Sequence, residues 1–336
     1  MSIGKACQAL GHEVIMNDKI ITDVDLAFVF ATHSPKNPNM ERSQIILPLR
    51  EAKVPTFHID SSFFGTYIRN ALNAPETGMF RIGLNESTGE ADWLIDNVSH
   101  HRFDDFKRKF KFEEQYPRLP NDYPIMILGQ PNGNFQYDDK RTFDTYVKEE
   151  IMPVLLKKTD RAIIFRQHPM VTAKPNLDGV DFQKADRARR TLLKDMLYCS
   201  AVVTHSSSGA VEALVEGLPT FATSPRCIAY EACGDLNDIV EPFDWSKREK
   251  AMWKWAHTTW SIEEFADPEL IDSYIQRAKD KGYLYYLGKD GNVWRSQMAR
   301  AGKGGGNAEK VADAGVTRES GFLYFIDKNG NVARSP

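Results

Sequence analysis

AVVTHSSSGAVEALVEGLPT, Ala201–Thr220, is the stretch around which the rest of the chain can be ordered. Ala201, Val202 and Val203 make a short apolar, β-branched run, the pattern of a buried strand. Three serines, Ser206, Ser207 and Ser208, and Gly209 then turn the chain into a helix with Val211, Leu214 and Val215 on one face. Gly217 and Pro219 stand where a helix stops. Two readings are open for this turn. In one, the N–H groups and the positive end of the helix receive a phosphate, and Glu212 accepts hydrogen bonds from sugar hydroxyls. In the other, a serine caps an ordinary α/β helix.

Working toward the N-terminus, Ile125–Gly129 is a strand, Thr142–Lys158 a helix and Arg161–Arg166 the next strand. Arg166 and His168 therefore fall at the carboxyl edge of the same sheet as the serine turn, on exposed loop ends. Both can bind a phosphate, and arginine can do so with two parallel hydrogen bonds. Phe182–Cys199 reads as a helix with a solvent-facing stripe of Lys184, Arg187, Arg189 and Arg190. Prolines at 117, 120 and 124 mark a linker.

Before that linker the alternation of strand and helix appears once more, as a parallel sheet with crossovers requires. Ser2–Leu10 is a helix closed by Gly11, followed by the strand HEVIM. Either a first strand before that helix is missing or this sheet is smaller than usual. Val24–Ala31 is a buried strand, Ile45–Lys53 a helix and Val54–Asp60 a second strand. Asp60 ends that strand on the edge where open α/β sheets bind ligands, or else caps the element that follows. Phe103–Phe112 interleaves Lys107, Arg108, Lys109 and Lys111 with phenylalanine. Such a stretch either grips a polyanion while its rings stack on bases, or is a solvated helix whose rings pack inward.

Toward the C-terminus, the Trp-rich run Lys247–Trp260 reads as a helix whose Trp253, Trp255 and Trp260 pack the chain back over the domain junction. Then GYLYYLGKDGNVWRS, Gly282–Ser296, recurs 39 residues later as GFLYFIDKNGNVARS, Gly321–Ser335. Each copy is an aromatic strand, a KDG or KNG turn and a short strand, that is, a hairpin. Two hairpins bury little, so they pair with each other, with the body or with a partner. Lys289, Arg295, Arg300, Lys303, Lys310, Lys328 and Arg334 make the tail and its glycine-rich linker basic.

Composition bounds the rest. With 42% hydrophobic and 26% charged residues and a net charge of −3, the chain is a globular protein without a generally basic surface. Cys7, Cys199, Cys227 and Cys233 show neither a CxxC pair nor metal-ligand spacing, the usage of a reduced, cytoplasmic protein. No apolar run is long enough to span a membrane.

Three segments carry a family resemblance: Leu128–Gln130 with Asp138 and Asp139 after it, Arg166–Pro169 (RQHP), and His205–Pro219 (HSSSGAVEALVEGLP). Together they resemble the bacterial capsular-polysaccharide transferases, the group that includes Kdo transferases. Trp255–Phe265 resembles that family's closing helix, and His58–Gly65 stands where the family has an acidic strand end, here with Ile59 and Ser61 in place of its glutamate and glycine. The resemblance covers roughly residues 40–270. It implies a GT-B fold: two Rossmann-like domains facing across a cleft, here an acceptor domain over 1–118 and a donor domain over 119–280. The hairpin repeats over 281–336 lie outside it.

On that reading the donor is a nucleotide sugar, UDP- or CMP-linked, bound by Gln130, Arg166, His168, His205, Ser206, Ser207, Ser208, Gly209 and Glu212. No metal or other cofactor is needed, and Asp60 takes the proton from the attacking hydroxyl. The acceptor is polymeric. Hydroxymethylated bases of phage-type DNA are the first choice, contacted by Lys107, Arg108, Lys109 and Lys111, and a surface glycan is the alternative. A second class is a non-catalytic GT-B-derived binding module.

Overall fold

The computed structural model describes residues 2–16, 21–30, 41–62, 79–95, 101–110, 122–132, 140–185, 192–280, 283–297, 308–319, 322–326 and 332–335. Contacts group the chain into two compact units, one of Met1–Val14 with Phe265–Pro336 and one of Ile15–Glu264. The fold is mixed α/β.

The larger unit holds two sheets. In the first, β1 (Ala27–Phe30) and β2 (Thr56–Ser61) are parallel, with the helix α2 (Glu41–Glu51) between them in the chain. β3 (Met79–Leu84) returns antiparallel to β2, pairing Asp60 with Arg81. The outer strand, β9 (Thr259–Ser261), comes from far along the chain and pairs antiparallel with β3. The Trp-rich run Lys247–Trp260 predicts a helix through these residues. Instead α8 (Arg248–His257) ends at Thr258, and the β-branched and aromatic run Thr258–Trp260 has the composition of a strand, not of a helix end.

The second sheet is parallel throughout. β4 (Ile125–Leu128), β5 (Ile163–Arg166), β6 (Asp181–Gln183), β7 (Ala201–Thr204) and β8 (Thr220–Ala222) lie in the order β6-β5-β4-β7-β8. That order places the reversal of chain direction across the sheet between β4 and β7, where doubly wound sheets open a ligand crevice. α4 (Phe143–Tyr146), a π turn (Val147–Ile151) and α5 (Met152–Lys158) form the crossover from β4 to β5. The expected helix over Phe182–Cys199 is replaced by β6 and the short α6 (Leu192–Met196). Phe182 packs against the sheet's core and its segment completes the sheet edge beside β5. Lys184 is exposed, and Arg187, Arg189 and Arg190 lie outside the described residues.

One core runs from the first half of this unit into the second. Met79 and Trp93, with Phe103 and Phe106 of α3 (His101–Phe110), join Ala210, Val211, Leu214 and Val215 of α7 (Gly209–Val215) and Trp255 of α8. α7 is therefore buried on every side, not on one face only, because Ala213 packs at the same time into the cluster of Met126, Leu128 and Val202. The expected boundary near residue 118 falls within this unit.

In the smaller unit, α1 (Ser2–Ala9) lies beside α9 (Pro268–Asp280) and is closed by Gly11 at φ 82°. Residues 12–16 form no strand, in contrast to the expectation from HEVIM. Both repeats fold as hairpins: β10 (Tyr283–Leu287) with β11 (Val293–Gln297), and β13 (Leu323–Ile326) with β14 (Val332–Ser335). β10 and β13 are neighbours. β12 (Ala308–Ala312), read as linker from its composition, adds a third strand to the first hairpin. The tail's cations are also less free than the sequence suggested. Arg295 pairs with Glu309, Lys310 with Asp313 and Arg334 with Glu319. Arg300, Lys303 and Lys328 lie outside the described residues.

Candidate functional site

Parallel strands deliver all their carboxyl ends to one edge, so the loops after β4, β5 and β7 gather there. The tightest link among them is Gln130. Its Oε1 accepts from the Ser206 N–H at 2.9 Å, and its Nε2 donates to Ser206 Oγ at 3.1 Å. One side chain thus ties the loop after β4 to the serine turn after β7, across the point where strand order reverses. Two glycines permit the approach. A Cβ on Gly129 would sit 2.8 Å from the Arg166 carbonyl, and one on Gly209 2.8 Å from Leu128 Cδ1.

The serine turn is held by its own side chains rather than left open along its length. Ser207 N–H donates to Thr204 Oγ1 at 3.1 Å, and Gly209 N–H to Ser207 Oγ at 3.2 Å. Ser208 occupies the cap position with φ −61° and makes no side-chain cap. Among the described residues its N–H and hydroxyl have no partner, and Ser208 is exposed. Of the run of N–H groups expected to face an anion, three are spoken for and Ser208's is open. Glu212 lies in the first turn of α7 at 8% exposure, buried and not on a free face.

Arg166, the last residue of β5, is 6% exposed, which overturns its reading as an exposed loop residue. Its Nε donates to Asp195 Oδ2 at 2.6 Å, while Gln183 Nε2 donates to Asp195 Oδ1 at 3.0 Å. Asp195, invisible as a site residue in the sequence, orients the guanidinium. The two terminal nitrogens of Arg166 have no partner among the described residues. His168 is half-buried, and its Nδ1 accepts from the Met170 N–H at 3.2 Å. His205 is buried against the Tyr146 ring, and its Nδ1 is 3.0 Å from Thr223 Oγ1. Tyr146 donates to that same hydroxyl at 2.8 Å. Tyr146 and Thr223 were missed because nothing in their own segments marks them.

Asp60 belongs to a different group. Its Oδ2 accepts from Arg81 at 2.8 Å and its Oδ1 from the Ser61 N–H at 2.7 Å. Arg81 also donates from Nε to the Ser87 carbonyl at 2.8 Å and from a terminal nitrogen to the Ser61 carbonyl. Burial pulls the Arg81 guanidinium below its ordinary value, and the charges of Asp60 and Glu86 pull it back up. Glu86 and Glu90 in turn face Arg226, at 3.6 and 3.3 Å, in the loop that follows β8. Gly89 lies so close to that loop that a Cβ would stand 2.2 Å from the Cys227 carbonyl. The seam between the two sheets is therefore polar on the Asp60 side and close-packed.

The acceptor residues fare unevenly. Phe103 and Phe106 are core residues, so α3 does not offer those rings for base stacking. Lys107 pairs with Asp104 at 3.2 Å and Arg108 with Asp105, one turn away on the same helix. The side chain of Lys109, and Lys111, Asp138 and Asp139, lie outside the described residues.

No family model matches the chain, and no curated protein does. Among solved structures it is similar to the beta Kdo 2,7 transferase of Thermosulfurimonas dismutans KpsC, at 13% identity and a TM-score of 0.41, over 66% of this chain and 77% of that one. The beta Kdo 2,4 transferase of the same KpsC gives 12% identity and 0.40, over 69% and 78%. The glycosyltransferase SnogD from Streptomyces nogalater gives 12% and 0.27, over 73% and 65%. Likeness this distant assigns no activity.

Proposed function

We propose that this chain is a GT-B-type glycosyltransferase, moving a sugar from a nucleotide-activated donor to a hydroxyl of a polymeric acceptor. The observation that supports it most is the carboxyl edge between β4 and β7, where Gln130 locks the serine turn and leaves the Ser208 amide open. Arg166, held through Nε by Asp195, has its terminal nitrogens free at the neighbouring strand end. Two such donor groups suit the phosphate oxygens of a nucleotide sugar, whose charge grows as the sugar leaves. His205, fixed by Thr223 and Tyr146, and Glu212 belong to the same binding edge. Asp60, oriented by Arg81, receives the proton of the attacking hydroxyl.

A UDP- or CMP-linked donor and a saccharide acceptor follow the sequence resemblance to capsular-polysaccharide transferases. A DNA acceptor has less physical support, because Phe103 and Phe106 are buried and Lys107, Arg108, Arg295, Lys310 and Arg334 each face a carboxylate.

Thermal melting with UDP, GDP, CMP and TDP compounds tests the donor site, since a ligand of the folded state raises the midpoint. One nucleotide should raise it, and Gln130→Ala should weaken that ligand by up to about tenfold. Asp60→Asn should keep donor affinity and lose about 10²–10⁴ in transfer rate. Parallel assays on a saccharide and on hydroxymethylated DNA decide the acceptor. No shift with any of the four nucleotides would overturn the reading, and binding without turnover would leave a non-catalytic module.

A further inference from the structure

The amino edge of the parallel sheet carries a cavity of about 480 Å³, on the side away from Gln130 and the serine turn. Arg161, Ser200 and Pro219, each just before its strand, lie along it. That volume is within the range of small-molecule sites. Pro219, Val240, Pro242, Phe243 and Trp245 give it an apolar wall. Phe243 and Trp245 meet edge to face at 4.6 Å, and Arg248 stacks over Trp245 while bonding the carbonyls of Leu214 and Val215. The wall is thus braced before any ligand arrives.

Arg161 supplies the charge. Its Nε donates to Thr159 Oγ1 at 3.1 Å, one terminal nitrogen to Ser200 Oγ at 3.0 Å, and the other to the Ile239 carbonyl at 3.0 Å. All three acceptors are neutral, and among the described residues no carboxylate pairs with this guanidinium. Partial burial pulls it below the ordinary arginine value, with no anion acting to raise it. Each terminal nitrogen keeps one N–H beyond the bonds above. A half-buried cation that is oriented, only neutrally bonded and set beside an apolar wall is an arrangement suited to a carboxylate on an apolar body. Glu216 and Glu241 also line the cavity; they disfavour any anion, and a polyanion more than a monoanion, which limits the ligand to a single carboxylate set against Arg161.

We infer that this cavity is a binding site for a small apolar monocarboxylate, separate from the carboxyl-edge site and independent of the reading of that site. Isothermal titration of the full chain with 1-naphthaleneacetate and with its neutral isostere 1-naphthaleneacetamide tests it. The acid should bind with a stoichiometry of one and at least about tenfold more tightly than the amide, the worth of a charge-assisted hydrogen bond. Arg161→Met should erase that difference while circular dichroism stays unchanged. In the unsubstituted protein, the Arg161 Nε–H resonance should shift on adding the acid and not on adding the amide, which keeps the test independent of how the variant folds. UDP, GDP, CMP and TDP should not displace the acid. Equal binding of acid and amide, a silent Arg161 resonance, undiminished acid binding to Arg161→Met, or displacement by a nucleotide would each overturn the inference.

Discussion

The two sheets of the larger unit gather polar side chains in different ways. In the parallel sheet, Gln130 and Ser206 meet because their strands end at the same edge, with Arg166 closing the neighbouring strand, and the link between Gln130 and Ser206 crosses from loop to loop. In the mixed sheet, Asp60 and Arg81 meet because they are directly opposed in an antiparallel register. At the parallel edge the Ser208 amide is left open, whereas the antiparallel pair is bonded mostly within its own sheet, Asp60 keeping a partly exposed carboxylate. The sheets differ in closure too. The parallel one is built from consecutive chain, while the mixed one borrows β9 from beyond α8.

Breaking the parallel edge should have the larger effect. Arg166→Ala leaves Asp195, whose side chain is 2% exposed, as a buried charge without its cation. We expect a loss of about 3–5 kcal/mol in chemical denaturation. Arg166→Met with Asp195→Leu should recover most of it, because removing both charges removes the desolvation penalty. If Arg166→Ala unfolds at the parent midpoint, the pair does not organise this edge.

The mixed sheet should yield less, and locally. Arg102 on α3 bonds the carbonyls of Ala256 and Thr259, pairs with Glu264 at 2.7 Å and lies 3.7 Å over the Trp260 ring. It fastens the borrowed strand. Arg102→Ala should cost about 1.5–3 kcal/mol. Amide exchange should quicken in β9 and β3 while β4, β5 and β7 keep their protection. Uniform acceleration across both sheets would mean that β9 and the parallel sheet open as one unit.

The smallest effect is expected at the seam, as a pH dependence. Lys254 is buried, lies over the Trp93 ring and pairs with Glu231. Burial lowers its pKa from the ordinary 10.5, outweighing the pull of Glu231. Between that lowered value and 10.5 the unfolded chain holds the proton and the folded chain does not, so this residue's contribution to stability rises with pH. Comparing melting temperatures of the parent and Lys254→Met across that alkaline window should show the parent gaining on the variant as pH rises. Parallel curves would mean that the lysine stays fully protonated when folded.

Much of this was legible in the sequence because its causes are local. The β-branched run of β7, the stop at Gly217 and Pro219, and the turn chemistry of the KDG hairpin are set by residues within a few positions of one another. Gln130, Arg166 and Ser206 could be assigned to one edge because strand and helix alternate around them. The sequence by itself determined β1, β2, β4, β5 and β7, which loops share the carboxyl edge, and which residue types stand there. Only the tertiary structure decided that Asp195 takes Arg166, that Arg81 takes Asp60, that Thr258–Trp260 leaves the helix for the mixed sheet, and that Phe103 and Phe106 turn inward. Each of these is a pairing between groups far apart in the chain. A buried charge or ring selects its partner by desolvation and fit, and those exist only once the chain has closed around them.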